Sequence, residues 1–387
     1  MAPPSDTILE IPPPEPTPAQ ARKWPFAAIG IALAAGIAVV VLATRPRLPP
    51  IEWELGEGPI EAANLGSLVA YGEGFAILSG MTAEGVLLWR LTPDHGWSST
   101  SLDHAPSRLV ADDSRLIAYG GRRGVIMGEE LEPKPISFPD EIRSRQRSGR
   151  ASVVPTRYGL LAMTIHGDVW LSEDDDSFAP VVHHPAWGPG VERPFDSACH
   201  PPSRRSPDVP PVVETDDRLV TMISSNPGEP FGIWPTCEPE ILSSDDGSSW
   251  EAVDASLGEG AYVYDLMWRD DRFIAVGGFG VGKPAVWTSV NGSEWDLVPS
   301  LSDPFEADLF TVEAGPAGWL ILGQGAGGQD SLGWTSFDGL CWEPLPPGID
   351  GSTAAVSSEA FLVVDRASAG SYWLGTVTSE ERDQCLP

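Results

Sequence analysis

A nine-residue phrase, Trp287-Thr-Ser-Val-Asn-Gly-Ser-Glu-Trp295, constrains this chain more than any other feature, because it returns. It recurs as Trp334-Thr-Ser-Phe-Asp-Gly-Leu-Cys-Trp342 and as Leu242-Ser-Ser-Asp-Asp-Gly-Ser-Ser-Trp250. A worn copy reads Trp170-Leu-Ser-Glu-Asp-Asp-Asp-Ser-Phe178. Asn-Gly or Asp-Gly between strand-like residues is a strong hairpin signal. A phrase that repeats every few tens of residues marks a chain built from similar supersecondary units.

Each unit also holds a short apolar strand after a turn. There are seven: Gly74–Gly80, Arg115–Gly120, Gly159–Thr164, Arg218–Ile223, Arg272–Gly277, Gly318–Gly323 and Ala360–Val364. Near-continuous apolar runs of this length fit strands buried on both faces. A second strand follows, usually with a tryptophan: Trp89, Trp170, Trp287, Trp334 or Trp373. Then come the turn and an outer strand such as Trp250-Glu-Ala-Val253. With an inner strand such as Tyr262–Trp268, each unit makes a four-stranded antiparallel blade. Seven units of about 48 residues predict a seven-bladed, all-β propeller.

The last unit lacks an outer strand after Trp373. Ile51-Glu-Trp-Glu-Leu55 matches the outer-strand phrase, so this N-terminal strand is expected to complete blade seven and close the ring.

The turns resemble Asp-boxes, or BNR repeats, with the pattern Ser/Thr-x-Asp-x-Gly-x-x-Trp. Ser243, Asp245, Gly247 and Trp250 fit it; Thr288, Gly292 and Trp295 fit it with Val290 at the Asp position. Thr335, Gly339 and Trp342 fit it with Phe337 there, and Asn291 and Asp338 are expected to take over the polar role. The resemblance covers four of seven blades and implies a turn-holding role: short polar side chains bind backbone groups, Gly supplies positive φ, and Trp covers the blade. Propellers with such boxes include sialidases, sortilin-type receptors and xyloglucan-active hydrolases, so the fold alone does not fix a function. Sialidases use an Arg triad, a Tyr nucleophile paired with Glu, and an Asp acid/base. The Phe/Tyr-Arg-Ile-Pro motif of those enzymes is absent, and they have six blades. The expectation is a non-catalytic member.

Before the propeller, residues 1–23 are Pro-rich and read as a disordered cytoplasmic tail. Trp24 to Thr44 carries no charge and is long enough to cross a bilayer as one helix, with 45–50 as a linker and 51–387 as the ectodomain. The competing reading is a signal peptide cleaved after Val41-Leu42-Ala43. Ala28, Ala32 and Gly36 form a small-residue face that could pair such helices. Flanking charges are balanced and do not orient the helix. The four cysteines, all after it, do: an even count suggests disulfides and an outside compartment. Propeller bookkeeping puts Cys199 and Cys237 on one face and Cys341 and Cys385 on the other, predicting pairs within each face.

Net charge is −31, and only three of the 55 acids and four of the 24 bases precede residue 48. Such an acidic domain is not a general nucleic-acid binder. Eight arginines nevertheless fall on one face over three blades: Arg122, Arg123, Arg143, Arg145, Arg147, Arg150, Arg204 and Arg205. They are the candidate site for an anionic ligand, an acidic glycan or an acidic partner loop. His166, His183, His184 and His200 share that face without metal-ligand spacing, and no cofactor is expected. The sequence reads as a single-pass plasma-membrane protein whose extracytoplasmic propeller is a binding or assembly scaffold, with a sialidase-like glycoside hydrolase as the alternative.

Overall fold

The computed structural model describes residues 51–377 except for loop segments, the longest being 144–150, 182–210 and 226–237. The expected membrane helix, its tail and its linker lie outside the described residues. Among the described residues, no helix is long and apolar enough to cross a membrane.

The described residues form seven four-stranded antiparallel sheets. The chain opens with β1 (Ile51–Glu57). Blade one is β2 (Leu65–Tyr71), β3 (Gly74–Ser79), β4 (Val86–Leu91) and β5 (Trp97–Leu102). Blade two is β6 (Arg108–Ala111), β7 (Leu116–Gly120), β8 (Arg123–Met127) and β9 (Lys134–Ile136). Blade three is β10 (Ala151–Thr156), β11 (Gly159–Thr164), β12 (Val169–Ser172) and β13 (Ala179–Pro180). Blade four is β14 (Val212–Glu214), β15 (Leu219–Ser225), β16 (Glu238–Ser244) and β17 (Glu251–Val253). Blade five is β18 (Ala261–Arg269), β19 (Arg272–Phe279), β20 (Pro284–Ser289) and β21 (Asp296–Leu297). Blade six is β22 (Ala307–Gly315), β23 (Gly318–Gly325), β24 (Ser331–Ser336) and β25 (Glu343–Pro344). Blade seven takes β26 (Thr353–Val356), β27 (Ala360–Val364) and β28 (Ser371–Val377) from the end of the chain, and β1 as its outer strand.

The closure is in full register. Ile51 faces Val377, Trp53 faces Gly375 and Glu57 faces Ser371. The strand expected from Trp53-Glu-Leu55 therefore completes the last blade.

The apolar runs become the second strands, whose side chains on both faces are buried. Leu116–Gly120 and Ala360–Val364 are buried along their whole lengths. Seven apolar clusters fill the spaces between blades, each joining two neighbours. One of them joins Phe75 and Ile77 of blade one to Leu362 and Leu374 of blade seven, so the ring shuts on a dry interface.

Arginines at the turns after the inner strands reach onto the following blade. Arg115 of blade two donates to Asp175 (3.0 Å) and to the Thr156 carbonyl (3.2 Å) in blade three. Arg157 of blade three binds Glu214 and the Thr215 and Asp216 carbonyls in blade four. Arg269 of blade five donates to the Gly318 (2.9 Å) and Pro316 (3.0 Å) carbonyls of blade six. Each guanidinium satisfies turn carbonyls that strand pairing leaves open.

The repeated turns differ from the expected pattern by one residue. Asp246, not Asp245, accepts from the Ser248 and Ser249 N–H groups at 2.7 Å each, and Ser244, not Ser243, donates to it at 3.2 Å. Asn291 does the same for Ser293 and Glu294 (2.9 Å each), and Asp338 for Leu340 (2.8 Å) and Cys341 (2.9 Å). The partner hydroxyls are Ser289 and Ser336, while Thr288 and Thr335 are buried in the preceding strands. Glycine follows the acceptor directly at Gly247, Gly292 and Gly339, with φ of 71 to 73° in the left-handed region. Asn291 and Asp338 fill the polar role as expected. Trp295 and Trp342 then cover their turns, each indole N–H donating to a turn glycine carbonyl.

Candidate functional site

The seven inner strands enclose one axial cavity of about 510 Å³. Val69, Val110, Val153, Val213, Leu266, Ala314 and Val356, one from each inner strand, contribute to its apolar wall. Its ionisable groups and hydroxyls are Arg108, Tyr119, Ser152, Glu214, Tyr264, Asp265 and Glu313.

Asp265 reaches this wall through a break in strand register. β18 pairs with β19 in order up to Val263, then slips, leaving Tyr264 unopposed before Asp265. β22 slips at the equivalent place, between Leu309 and Thr311. Such bulges re-aim side chains at the cost of one ladder position. Here they turn Asp265 toward the next blade. Its Oδ2 accepts from the Thr311 hydroxyl (2.9 Å) and the Val312 N–H (3.0 Å), and its Oδ1 accepts from the Leu266 N–H (2.9 Å).

Glu313 stands two residues after Thr311, on the same side of β22. The charge of Asp265 acts on it, and the Thr311 side chain works in the opposite direction. Both carboxyls are half-buried and line the cavity. Burial pushes Asp265 up to about 6, against the three hydrogen bonds that favour its charge. Burial, and then the Asp265 charge, push Glu313 well above the usual carboxylate range. Two neighbouring acids therefore sit in one cavity, both raised by burial.

The other polar groups are more tightly engaged or lie off the wall. Glu214 is bound by Arg157. Beside the channel, Tyr262 and Tyr264 meet edge to face at 5.1 Å. The Tyr262 hydroxyl and Asp308 Oδ1 are buried without hydrogen-bond partners, and burial raises both groups. The strained polar groups thus gather at the seam between blades five and six.

Of the arginines proposed for an anionic ligand, Arg123 is exposed at the start of β8 and Arg143 pairs with Asp140. Arg122, Arg145, Arg147, Arg150, Arg204 and Arg205 lie outside the described residues. Cys341 is disulfide-bonded; Cys199, Cys237 and Cys385 lie outside the described residues. Among the described residues, no cluster of His, Cys, Asp or Glu is placed to hold a metal ion. Sequence reasoning missed Asp265, Thr311 and Glu313. The available signal was an acid inside the inner strand Tyr262–Trp268, where neighbouring residues are apolar.

The architecture defines a seven-bladed β-propeller. Virginiamycin B lyase from Staphylococcus aureus has a similar fold, with a TM-score of 0.55 and 11% identity over 84% of this chain and 99% of that one. The Pan2 WD40 domain of Neurospora crassa is also similar, with a TM-score of 0.51 and 10% identity over 87% of this chain and 99% of that one. At such identities the likeness is one of fold. No family model matches the sequence, and no curated protein matches it.

Proposed function

We propose that this protein is a membrane-anchored, extracytoplasmic propeller of the Asp-box kind that works as a binding scaffold, with the central channel as its ligand site. The observation that carries this reading is the convergence of Arg108, Tyr264, Asp265 and Glu313 from three blades on one cavity of about 510 Å³. Concave sites with a mostly apolar wall and a few convergent polar groups are where small ligands bind. The described wall holds three carboxyls and a single arginine, which favours a polar ligand without negative charge in the channel itself. An acidic glycan or acidic protein loop is instead the ligand for the arginine-rich segments that the sequence singles out. Thermal-shift screening of the full-length protein in detergent against neutral, amino and acidic sugars tests both. A shift for neutral or amino sugars that Glu313→Gln abolishes supports the channel. Shifts for acidic sugars alone, unaffected by Glu313→Gln, would overturn it.

One observation favours a second reading, glycoside hydrolysis. Two carboxyls in one cavity, both raised by burial, are the kind of pair such chemistry uses. A sialidase mechanism is less well served, because it needs an arginine cluster on the substrate carboxylate. Release of fluorophore from neutral aryl glycosides, lost in Asp265→Asn, would establish this second reading.

A further inference from the structure

We propose that the channel takes a hydroxylated amine, such as an amino sugar, with its ammonium on the Asp265 and Glu313 side and its oxygens on the Arg108 and Ser152 side. This rests on the reading of the channel as the ligand site and names the chemistry that the site selects.

Counting back from the first turn of each blade fixes heights along the channel. Asp112, Thr156, Arg269 and Gly315 pair across that turn with Arg115, Gly159, Arg272 and Gly318. Four residues earlier stand Arg108, Ser152, Asp265 and Thr311. The register slips in β18 and β22 both fall before Asp265 and Thr311, so the count holds. These four residues therefore share one height around the axis. In a closed ring of seven, blades two and three, which carry Arg108 and Ser152, lie across the axis from blades five and six, which carry Asp265 and Thr311. Glu313 lies two residues nearer the turn, on the same wall as Asp265. Ser67 has the same height in blade one and accepts from the Leu109 N–H of blade two at 3.0 Å, as Asp265 accepts from the Val312 N–H of blade six at 3.0 Å. Ser152 makes no such bridge. The residue is 9% exposed and lines the cavity, and its hydroxyl is buried without a hydrogen-bond partner. A buried unpaired hydroxyl is destabilising, and a ligand oxygen in the channel would satisfy it.

The far side is acidic and lacks a cation of its own. Arg157 neutralises Glu214, whereas no described arginine or lysine forms an ion pair with Asp265 or Glu313. Asp265 accepts two hydrogen bonds at Oδ2 and one at Oδ1. A carboxylate offers about four lone-pair sites, so Oδ1 keeps one for a ligand. Tyr264 and Trp268 line the same blade-five wall, and aromatic rings attract an ammonium. An ammonium brings three donors and the positive charge that this side is missing. Arg108 repels it from the opposite wall, which sets the direction of the ligand. With three carboxyls against one guanidinium on the described wall, hydroxyl and ether oxygens suit the Arg108 end better than a carboxylate.

The test is calorimetric titration of the full-length protein in detergent with three disaccharides: a glucosamine dimer, its N,N′-diacetyl form and cellobiose. The glucosamine dimer should bind about tenfold tighter than either uncharged probe. Glu313→Gln should weaken the glucosamine dimer most and erase most of that preference. Ser152→Ala should weaken all three by about threefold and keep the preference. It should also leave the melting temperature of the unliganded protein no lower, because the lost hydroxyl has no partner. A purely structural Ser152 would instead lower that temperature and leave binding unchanged. Equal affinities for the three probes, or a glucosamine dimer that does not bind, would overturn the amine assignment; if Ser152→Ala still weakens the probes that bind, the channel stands as the ligand site. Binding that neither variant alters would overturn both readings.

Discussion

The indole of Trp53 lies against Gly375: a β-carbon at residue 375 would stand 3.0 Å from the ring and 2.8 Å from the Ile51 side chain. The first strand of the propeller thus packs on the last through a space that glycine alone leaves open. Gly375→Val should overfill it and cost about 1–3 kcal/mol. Urea unfolding checks this. Deleting residues 51–57 should do more, exposing Trp373 and Phe361 along the opened edge and sharply reducing soluble yield.

The turn acceptors tolerate either an amide or a carboxylate. Asp246, Asn291 and Asp338 occupy equivalent places and make the same pair of backbone hydrogen bonds. Asn291→Asp should therefore leave stability within about 0.5 kcal/mol of wild type. Asp338→Ala should cost about 1–2 kcal/mol, because two N–H groups lose their acceptor. Parallel denaturant melts distinguish the two outcomes.

The acid limb of stability should carry the mark of Asp246. Burial works against its charge, but hydrogen bonds from Ser249, Ser248 and Ser244 outweigh that and hold it at about 2. A depressed carboxyl contributes stability above its unfolded value of about 3.9 and loses it as pH falls through the folded value. Asp265 works in the opposite sense, since a raised carboxyl favours the folded state below its folded value. Together they place the optimum near pH 4, where the Asp246 contribution is complete, and the Asp265 contribution is lost as pH rises from there through about 6. Asp246→Asn should flatten the decline below pH 4 in a thermal-shift series.

The seam arginine Arg269 is well covered and donates to two carbonyls on the neighbouring blade. Arg269→Ala strands both acceptors and should cost about 1–3 kcal/mol. Arg269→Lys should recover only part of this, because an ammonium lacks the planar fork. Chemical denaturation of the three proteins gives the comparison.

Cys341 stands at the turn of blade six, next to Trp342. Its disulfide partner is expected to be Cys385, with Cys199 bonded to Cys237. Peptide mapping without reductant should recover these two pairs. Reduction should cost about 2–4 kcal/mol through the freed C-terminal segment.

The ring was legible because each unit repeats a local signal. Asn291-Gly292 makes a hairpin by its own backbone preferences, and Trp53-Glu54-Leu55 carries the outer-strand pattern far from the blade it joins. The seam at Asp265 was not legible in this way. Its position depends on the bulge at Tyr264, and no residue type announces a bulge. Its partners, Thr311 and Val312, come from another blade and meet it only through tertiary packing. The one-residue shift from Asp245 to Asp246 has a similar origin: two adjacent acids look alike in sequence, and only the turn geometry chooses between them.

The strand that completes the last blade is the first part of the propeller to be synthesised. Between Glu57 and Ser371 the ribosome must add more than 300 residues, which at 5–20 residues per second takes on the order of 15–60 s. Through that interval the segment has no partner. Its glutamates, Glu52, Glu54 and Glu57, alternate with or flank Trp53 and Leu55, and charges of this kind keep a waiting strand from pairing with other chains. Birth order and blade order run opposite here, so the ring can close only when translation of blade seven is done.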